Sequence, residues 1–489
     1  MMQRLSLTVL AGLLAAGGFC ASAACALAQD DVDQNAAEAR LTPAMLGTAN
    51  GLIDRALTDD TGYRIIEDLT TEIGPRLAGT PQEARARDWA VAMLTANGFE
   101  NVRVEPFKVK LWTRSRETAE ILTPFPQPLL VTALGNSVAT PPEGLSAQIV
   151  RFETLTELAS AAPDSLKGRI VFVDEKMTRT QDGSGYGVAV QKRSGAAIEG
   201  AKRGAIAALI RSVGTDRQRF PHTGGMRYGE GVTPIPIGAV SEPDADQLTR
   251  ALARGPVTVR MVLDVKGGGR AGPAWEGPDE ELPPSGNVVG EIPGETDEIV
   301  LVGAHLDSWD LGTGAVDDGA GVGIVTAAAK LVGDLPGTPK RTIRVVLFGS
   351  EEVGLVGAKA YAQMHKDELA KHVVGAESDF GAGRIWRMQT RWGEDKLPMA
   401  KPFHRVLRRL GIGPGDNRGS GGPDMTFVRQ AGVPVVSLTQ NGWDYFDLHH
   451  TPDDTFDKID PEDLAQNVAA YAAFIYLASE LDGTFRAAQ

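Results

Sequence analysis

The sequence predicts an α/β protein: a mostly parallel sheet flanked by helices, with a smaller α/β domain inserted into it. Three observations support this. From residue 287 onward, short continuous apolar runs alternate with helical segments. Such runs suit parallel strands buried on both faces, and the alternation suits helices that cover them. Between residues 115 and 280 that rhythm is absent, and Gly, Pro, Ala and brief apolar runs dominate. The chain has 489 residues, and at roughly 100–200 residues per domain this length suits two or three domains.

The first 28 residues stand apart. Arg4 precedes an apolar stretch over residues 5–19, and Ala26-Leu27-Ala28 reads as a small-residue cleavage site. This is the pattern of a secretory signal peptide, with an uncleaved anchor as the alternative. Export to the periplasm or the medium is expected. Both cysteines, Cys20 and Cys25, lie in this segment, so the mature chain has no disulfide framework and no thiolate to offer a metal. No later stretch reaches the roughly 18 apolar residues of a spanning helix, so no membrane association is expected after cleavage.

Residues 29–42 are polar and acidic and read as a linker. Helices are predicted over 52–57, 63–73 and 81–97, the last stopped by Gly98, and a strand over 101–109. In the middle region, strands over 170–173 and 205–210 bracket a helix over 196–203. A connection with four prolines over 271–286 leads back. Strands over 299–304, 342–348, 372–376 and 434–438 then alternate with helices over 318–335 and 355–365, and a helix over 461–481 closes the chain. The main domain is thus 43–114 with 281–489, and the insertion is 115–280.

Lys and Arg number 49 against 63 Asp and Glu, for a formal net charge of −14. Cleavage removes one arginine and no acid, which makes the mature value −15. A nucleic-acid partner is disfavoured, because such binding requires a basic surface that displaces counterions.

The residues able to bind metal fall at the ends of the predicted strands. His305 and Asp307 follow the first, Glu351-Glu352 the second, Asp379 the third and His449-His450 the fourth, while Asp317-Asp318 opens a helix. Singly, each has an ordinary explanation: a loop histidine, a helix cap, a solvated acidic pair. Together they converge, because ligand sites in open α/β sheets lie outside the carboxyl ends of the strands. Carboxylates crowded there repel one another unless a cation lies between them. His222, His365, His372 and His404 show no such spacing and read as surface or interdomain residues. There is no H-E-x-x-H, no G-x-S-x-G and no Walker A string.

Five separated blocks carry a resemblance. Gly303-Ala304-His305-Leu306-Asp307-Ser308, Gly314-Ala315-Val316-Asp317-Asp318-Gly319-Ala320-Gly321 and Leu347-Phe348-Gly349-Ser350-Glu351-Glu352-Val353-Gly354 resemble the co-catalytic zinc exopeptidases, the family of the bacterial leucyl aminopeptidases and glutamate carboxypeptidases. Glu377-Ser378-Asp379 and Tyr445-Phe446-Asp447-Leu448-His449-His450 are most similar to its plasma glutamate carboxypeptidase branch. The resemblance spans about residues 45–485, and by position and size the insertion is similar to a protease-associated domain.

This resemblance implies the zinc exopeptidase fold and two Zn²⁺ per chain. His305 and Asp379 would each bind one ion, Glu352 and His450 would complete the two sites, and Asp317 would bridge them. Glu351 would be the general base and acid acting on a zinc-bridging hydroxide. Asp307 would orient His305, and the Asp317–Asp318 peptide would be cis. The doublet stays open: Thr451 and Asp454-Thr455 fit His450 as the ligand, leaving His449 to the reaction intermediate or to loop packing. Gly419-Ser420-Gly421-Gly422-Pro423-Asp424 would line the substrate cleft through Ser420 and Gly421, or form a surface turn. The implied substrate is a dipeptide or short peptide with a free terminus. An aminopeptidase, a glutaminyl-cyclase-like acyltransferase and a non-catalytic binding protein are the alternatives on this scaffold. The resemblance also suggests a homodimer, which no sequence feature demands.

Overall fold

The computed structural model describes residues 41–269 and 282–487. The signal-peptide assignment, most of the linker and much of the proline-rich connection lie outside these residues. The chain enters through α1 (Pro43–Ala56), α2 (Thr61–Asp68) and α3 (Pro81–Ala96), then strand β1 (Glu100–Lys108). Thr42 and Thr80 cap α1 and α3 by accepting the backbone N–H groups of Met45 and Glu83, and Pro43 and Pro81 occupy the first turns. A proline there loses no helical hydrogen bond.

The next segment holds β2 (Thr113–Thr123), β3 (Gln127–Leu129), β4 (Val131–Ala133), β5 (Leu145–Phe152), α4 (Leu155–Ser160), β6 (Ile170–Val173), α5 (Ser184–Ala189) and α6 (Gln191–Lys202). It ends with β7 (Ala207–Arg211), β8 (Ile237–Val240), α7 (Glu242–Leu252) and β9 (Thr258–Lys266). These strands form one sheet in the order β3-β2-β9-β5-β6-β7-β8-β4.

The chain then returns through β10 (Pro284–Ile292), β11 (Thr296–His305), α8 (Ala320–Gly333), β12 (Arg341–Phe348), α9 (Val356–Met364) and β13 (His372–Glu377). It continues with β14 (Ile385–Arg391), α10 (Ala400–Leu407), β15 (Gly413–Pro414), α11 (Thr426–Gln430), β16 (Val435–Gln440), α12 (Tyr445–Leu448) and α13 (Pro461–Glu480). The second sheet runs β1-β10-β12-β11-β13-β16-β14-β15. Its centre, β12-β11-β13-β16, is a continuous parallel block, and β15 pairs parallel with β14; β1 with β10, β10 with β12 and β14 with β16 pair antiparallel. The sheet is therefore mixed, with four of its seven pairings parallel. The parallel strands β11, β12 and β13 are buried on both faces over most of their length, which favours uninterrupted apolar runs. β2 and β14 carry polar residues at intermediate or exposed positions and leave no such run. α13 is buried over most of its length and packs on α8 and α1, beside the sheet.

The predicted helix over 318–335 starts two residues late, because Asp317 and Asp318 have non-helical backbone angles. His365 and His372 are buried residues, not surface ones. His365 Nε2 lies 3.0 Å from both oxygens of Glu105. His372 Nδ1 donates to the Glu368 carbonyl at 3.1 Å, and its Nε2 accepts from the Tyr361 hydroxyl at 2.8 Å. His222 does lie where the two sheets meet, and His404 is half-buried.

Burial holds the His372 pKa down to about 4, against the Glu368 carbonyl and with help from Arg344. Unfolding frees this imidazole to bind a proton below about 6.5. Stability should therefore fall as the pH drops from about 6.5 to about 4. His372→Gln is expected to flatten that part of the urea-midpoint-against-pH curve; an unchanged slope would assign the dependence elsewhere.

Candidate metal centre

The parallel strands end level with one another. His305, the last residue of β11, pairs with Phe348 at the end of β12, and Gly303 pairs with Glu377 at the end of β13. The chain leaving each strand therefore enters the same space. After β12, Ser350 takes a left-handed conformation with φ of 61°, unusual for a residue with a side chain. It is held by a 2.9 Å hydroxyl contact with Ser285, and the reversal turns Glu351 and Glu352 over the sheet edge. His450 is left-handed too, with φ of 63°. Outlying backbone of this kind concentrates at functional sites.

Asp317 sits at the centre, and its two oxygens face different imidazoles. Oδ1 lies 3.1 Å from His305 Nε2, and Oδ2 lies 3.1 Å from His450 Nε2. Asp379 Oδ1 is 3.6 Å from His305 Nε2, and Glu352 Oε2 is 3.0 Å from His450 Nε2. The five residues thus divide into His305 with Asp379 and His450 with Glu352, sharing Asp317. His305 and Asp379, expected on separate ions, lie side by side, because β11 and β13 are neighbours in the sheet. The Asp317–Asp318 peptide is cis.

Two further groups come close. Asp318 clusters with His305 and Asp379, and His449 with Asp317 and His450. Asp318, however, has both oxygens occupied by backbone donors, His305 N at 3.1 Å and Gly321 N at 3.0 Å. His449 Nε2 is 3.6 Å from Asp317 Oδ2, and its ring stacks on His450 at 3.5 Å between centroids. His449 meets one carboxylate of the cluster, whereas His450 meets two.

The donor set fits a cation. His305 Nδ1 donates to the Asp307 carbonyl at 2.8 Å, which turns the Nε2 lone pair toward the carboxylates, the usual arrangement behind a metal-bound histidine. Asp317 Oδ2 and Glu352 Oε1 are buried without a hydrogen-bond partner. Burial pushes the Glu351 and Glu352 carboxyls well above the ordinary range, and their acidic neighbours add to it. Burial opposes a charge on His305, yet hydrogen bonds accepted by the Asp317 and Asp379 carboxylates raise its pKa well above normal. Cations between these groups would relieve the repulsion.

The Asp307 carbonyl accepts from the His305 ring, and the Asp307 carboxylate accepts the Glu351 N–H at 2.9 Å. Glu351 lines a cavity of about 660 Å³ together with Asp317, Glu352, Asp379 and both histidines of the doublet. Ser420 and Gly421 do not line it; of that segment only Pro423 does. Gly421 is buried, donates to Ser437 Oγ at 3.0 Å and accepts from Glu377 N at 2.8 Å. That glycine-rich turn braces the end of β13.

A family model for peptidase family M28 matches residues 287–475. Bovine carboxypeptidase Q is 35% identical over 86% of this chain and 85% of its own length, and the human protein is 34% identical over 86% and 85%. The chain belongs to peptidase family M28. An M28 peptidase precursor from Shewanella amazonensis, known by its crystal structure, is 48% identical, with a TM-score of 0.85 over 94% of this chain and 99% of that one. A zinc aminopeptidase from Bacillus subtilis shares the fold, with a TM-score of 0.61 at 20% identity over 86% and 95%.

This M28 peptidase has further buried groups at the site to which sequence reasoning assigned no role. Asp454 accepts the N–H groups of Val316 at 2.6 Å and Asp317 at 3.3 Å, fixing the backbone of the shared carboxylate. Arg76 donates to the carbonyls of Leu306, Thr313 and Gly314, tying both ends of the loop between His305 and Asp317. Trp309 packs on His450, and Tyr186 and Arg193 reach the cavity from the region of the sheet that holds β2 to β9. Arg76, Tyr186 and Arg193 are remote in sequence with no spacing to signal them, whereas Asp454 lies four residues past His450. Asp454→Asn should weaken metal retention about 10–100-fold. Chelator competition would measure this, and unchanged retention would deny Asp454 that role.

Proposed function

We propose that this protein is an exported two-zinc exopeptidase that hydrolyses dipeptides or short peptides with a free terminus. We further propose that residues 115–280 are an inserted domain of the protease-associated kind, roofing the site. The observation that carries the reading is Asp317, with one oxygen toward each of two imidazoles and one further carboxylate beside each. His305, Asp379 and Asp317 would hold one ion; His450, Glu352 and Asp317 would hold the other. Two imidazoles and three carboxylates without thiolate suit zinc, and the Bacillus subtilis protein of the same fold is a zinc aminopeptidase. When bound, zinc supplies Lewis acidity toward a carbonyl oxygen and lowers the pKa of water.

The chain's own residues do the rest. Glu351 takes a proton from the attacking water and returns it to the amine as the C–N bond breaks. Asp307 holds the Glu351 backbone and, through its carbonyl, the His305 ring, so base and ligand are set by one residue. Phe446, Tyr445 and Trp309 wall the cavity and limit water around the reacting bond. Bovine and human carboxypeptidase Q are 35% and 34% identical to this chain, which favours a carboxypeptidase or dipeptidase over an aminopeptidase.

Metal analysis of the dialysed protein should give two zinc ions per chain, and fewer than one would defeat the two-zinc assignment. Glu351→Gln is expected to keep its metal while turnover of dipeptides falls about 10²–10⁴-fold. Sustained turnover would remove Glu351 from the chemistry.

A further inference from the structure

We infer that Arg193 recognises the substrate's free C-terminal carboxylate, one residue beyond the bond that is cut. This rests on the peptidase reading of the site and specifies which terminus it reads. Arg193 lies in α6, so the region of the sheet that holds β2 to β9 delivers it to the cavity, where it is 3% exposed. Its Nη1 donates to the Tyr186 hydroxyl at 2.9 Å, and its Nη2 lies 3.4 Å from His450 Nδ1. Its Nε is buried with no partner. Among the described residues no carboxylate pairs with it.

Every comparable arginine is treated differently. Arg211 meets Asp174, Glu242 and Asp246. Arg344 meets Glu291 and Glu368. Arg76 and Arg341 spread their donors over several backbone carbonyls. A buried cation without a counter-charge is costly, and an anion that arrives with the substrate removes that cost.

The backbone is shaped to hold the guanidinium. A Cβ on Gly224, which has φ of 138°, would lie 2.2 Å from Arg193 Cζ, so glycine is needed there. The Tyr186 ring lies 5.5 Å from Cζ and stacks on Phe446, which steadies the fork. A planar guanidinium with free donors matches a planar carboxylate, and it repels the ammonium of a free N-terminus. The position also suits a short reach. Arg193 and the carboxylate cluster face opposite nitrogens of the His450 ring. One residue of extended chain, roughly 3.5 Å, with a contact at each end, covers such a gap.

The test is steady-state kinetics of the zinc-loaded enzyme on a free dipeptide and on its C-terminal amide. The native enzyme should prefer the acid. Arg193→Met should raise KM for the acid about 30-fold and bring the acid-to-amide ratio of kcat/KM to near one, on the scale expected for a lost charge-assisted pair. Arg193→Lys keeps the charge and the packing but loses the fork; it should raise KM for the acid about tenfold and serves if the methionine variant does not fold. Equal loss on acid and amide in either variant would overturn the inference and leave Arg193 as a prop for His450. So would a native enzyme that cuts both substrates alike. A zinc-loaded native enzyme that cuts neither would instead defeat the peptidase reading.

Discussion

One carboxylate shared between two imidazoles organises this molecule. Asp317 stands where the ends of the parallel strands open, and the acids around it tolerate one another only with positive charge between them. The neighbouring structure answers that requirement. Asp454 and Arg76 fix the backbone that leads into Asp317. The left-handed Ser350 turns Glu352 toward His450, and the paired ends of β11, β12 and β13 keep the ligands level. The strand block is buried and well packed, so the charge cluster rests on the stiffest part of the fold.

What the sequence made legible follows from that burial. Strands β11, β12, β13 and β16 lie within the sheet and read as apolar runs, and His305, Asp317, Glu351, Glu352 and Asp379 sit close to such runs or to the helix that follows. Antiparallel strands such as β2 and β14 have a partly polar face and did not stand out. Arg193 and Tyr186 were invisible for another reason. They belong to α6 and α5, far along the chain from any ligand, and only the approach of one region to the other brings them to His450. The choice between His449 and His450 likewise needed coordinates, since both rings lie in one stack and differ in which carboxylates they meet.

The contact between the two sheet regions is polar and specific. His222 is fully buried between Asp216, 2.6 Å from Nε2, and the His449 carbonyl, 2.7 Å from Nδ1. Thr223 N donates to the His450 carbonyl at 3.1 Å. Arg179 holds both oxygens of Asp447 at 2.6 and 2.8 Å, just ahead of the doublet. The loop that bears His450 is therefore fastened to the region of the sheet that holds β2 to β9 as well as to its own. A shift between the regions would move a metal-ligand candidate and the Arg193 guanidinium together, keeping their spacing.

The cavity measures about 660 Å³ and is walled from both regions. A space of that size suits a small molecule or a few residues. It works as a sieve: a chain end enters, and a folded surface does not. A peptidase built this way leaves intact neighbours alone and takes chain ends that other enzymes have already released.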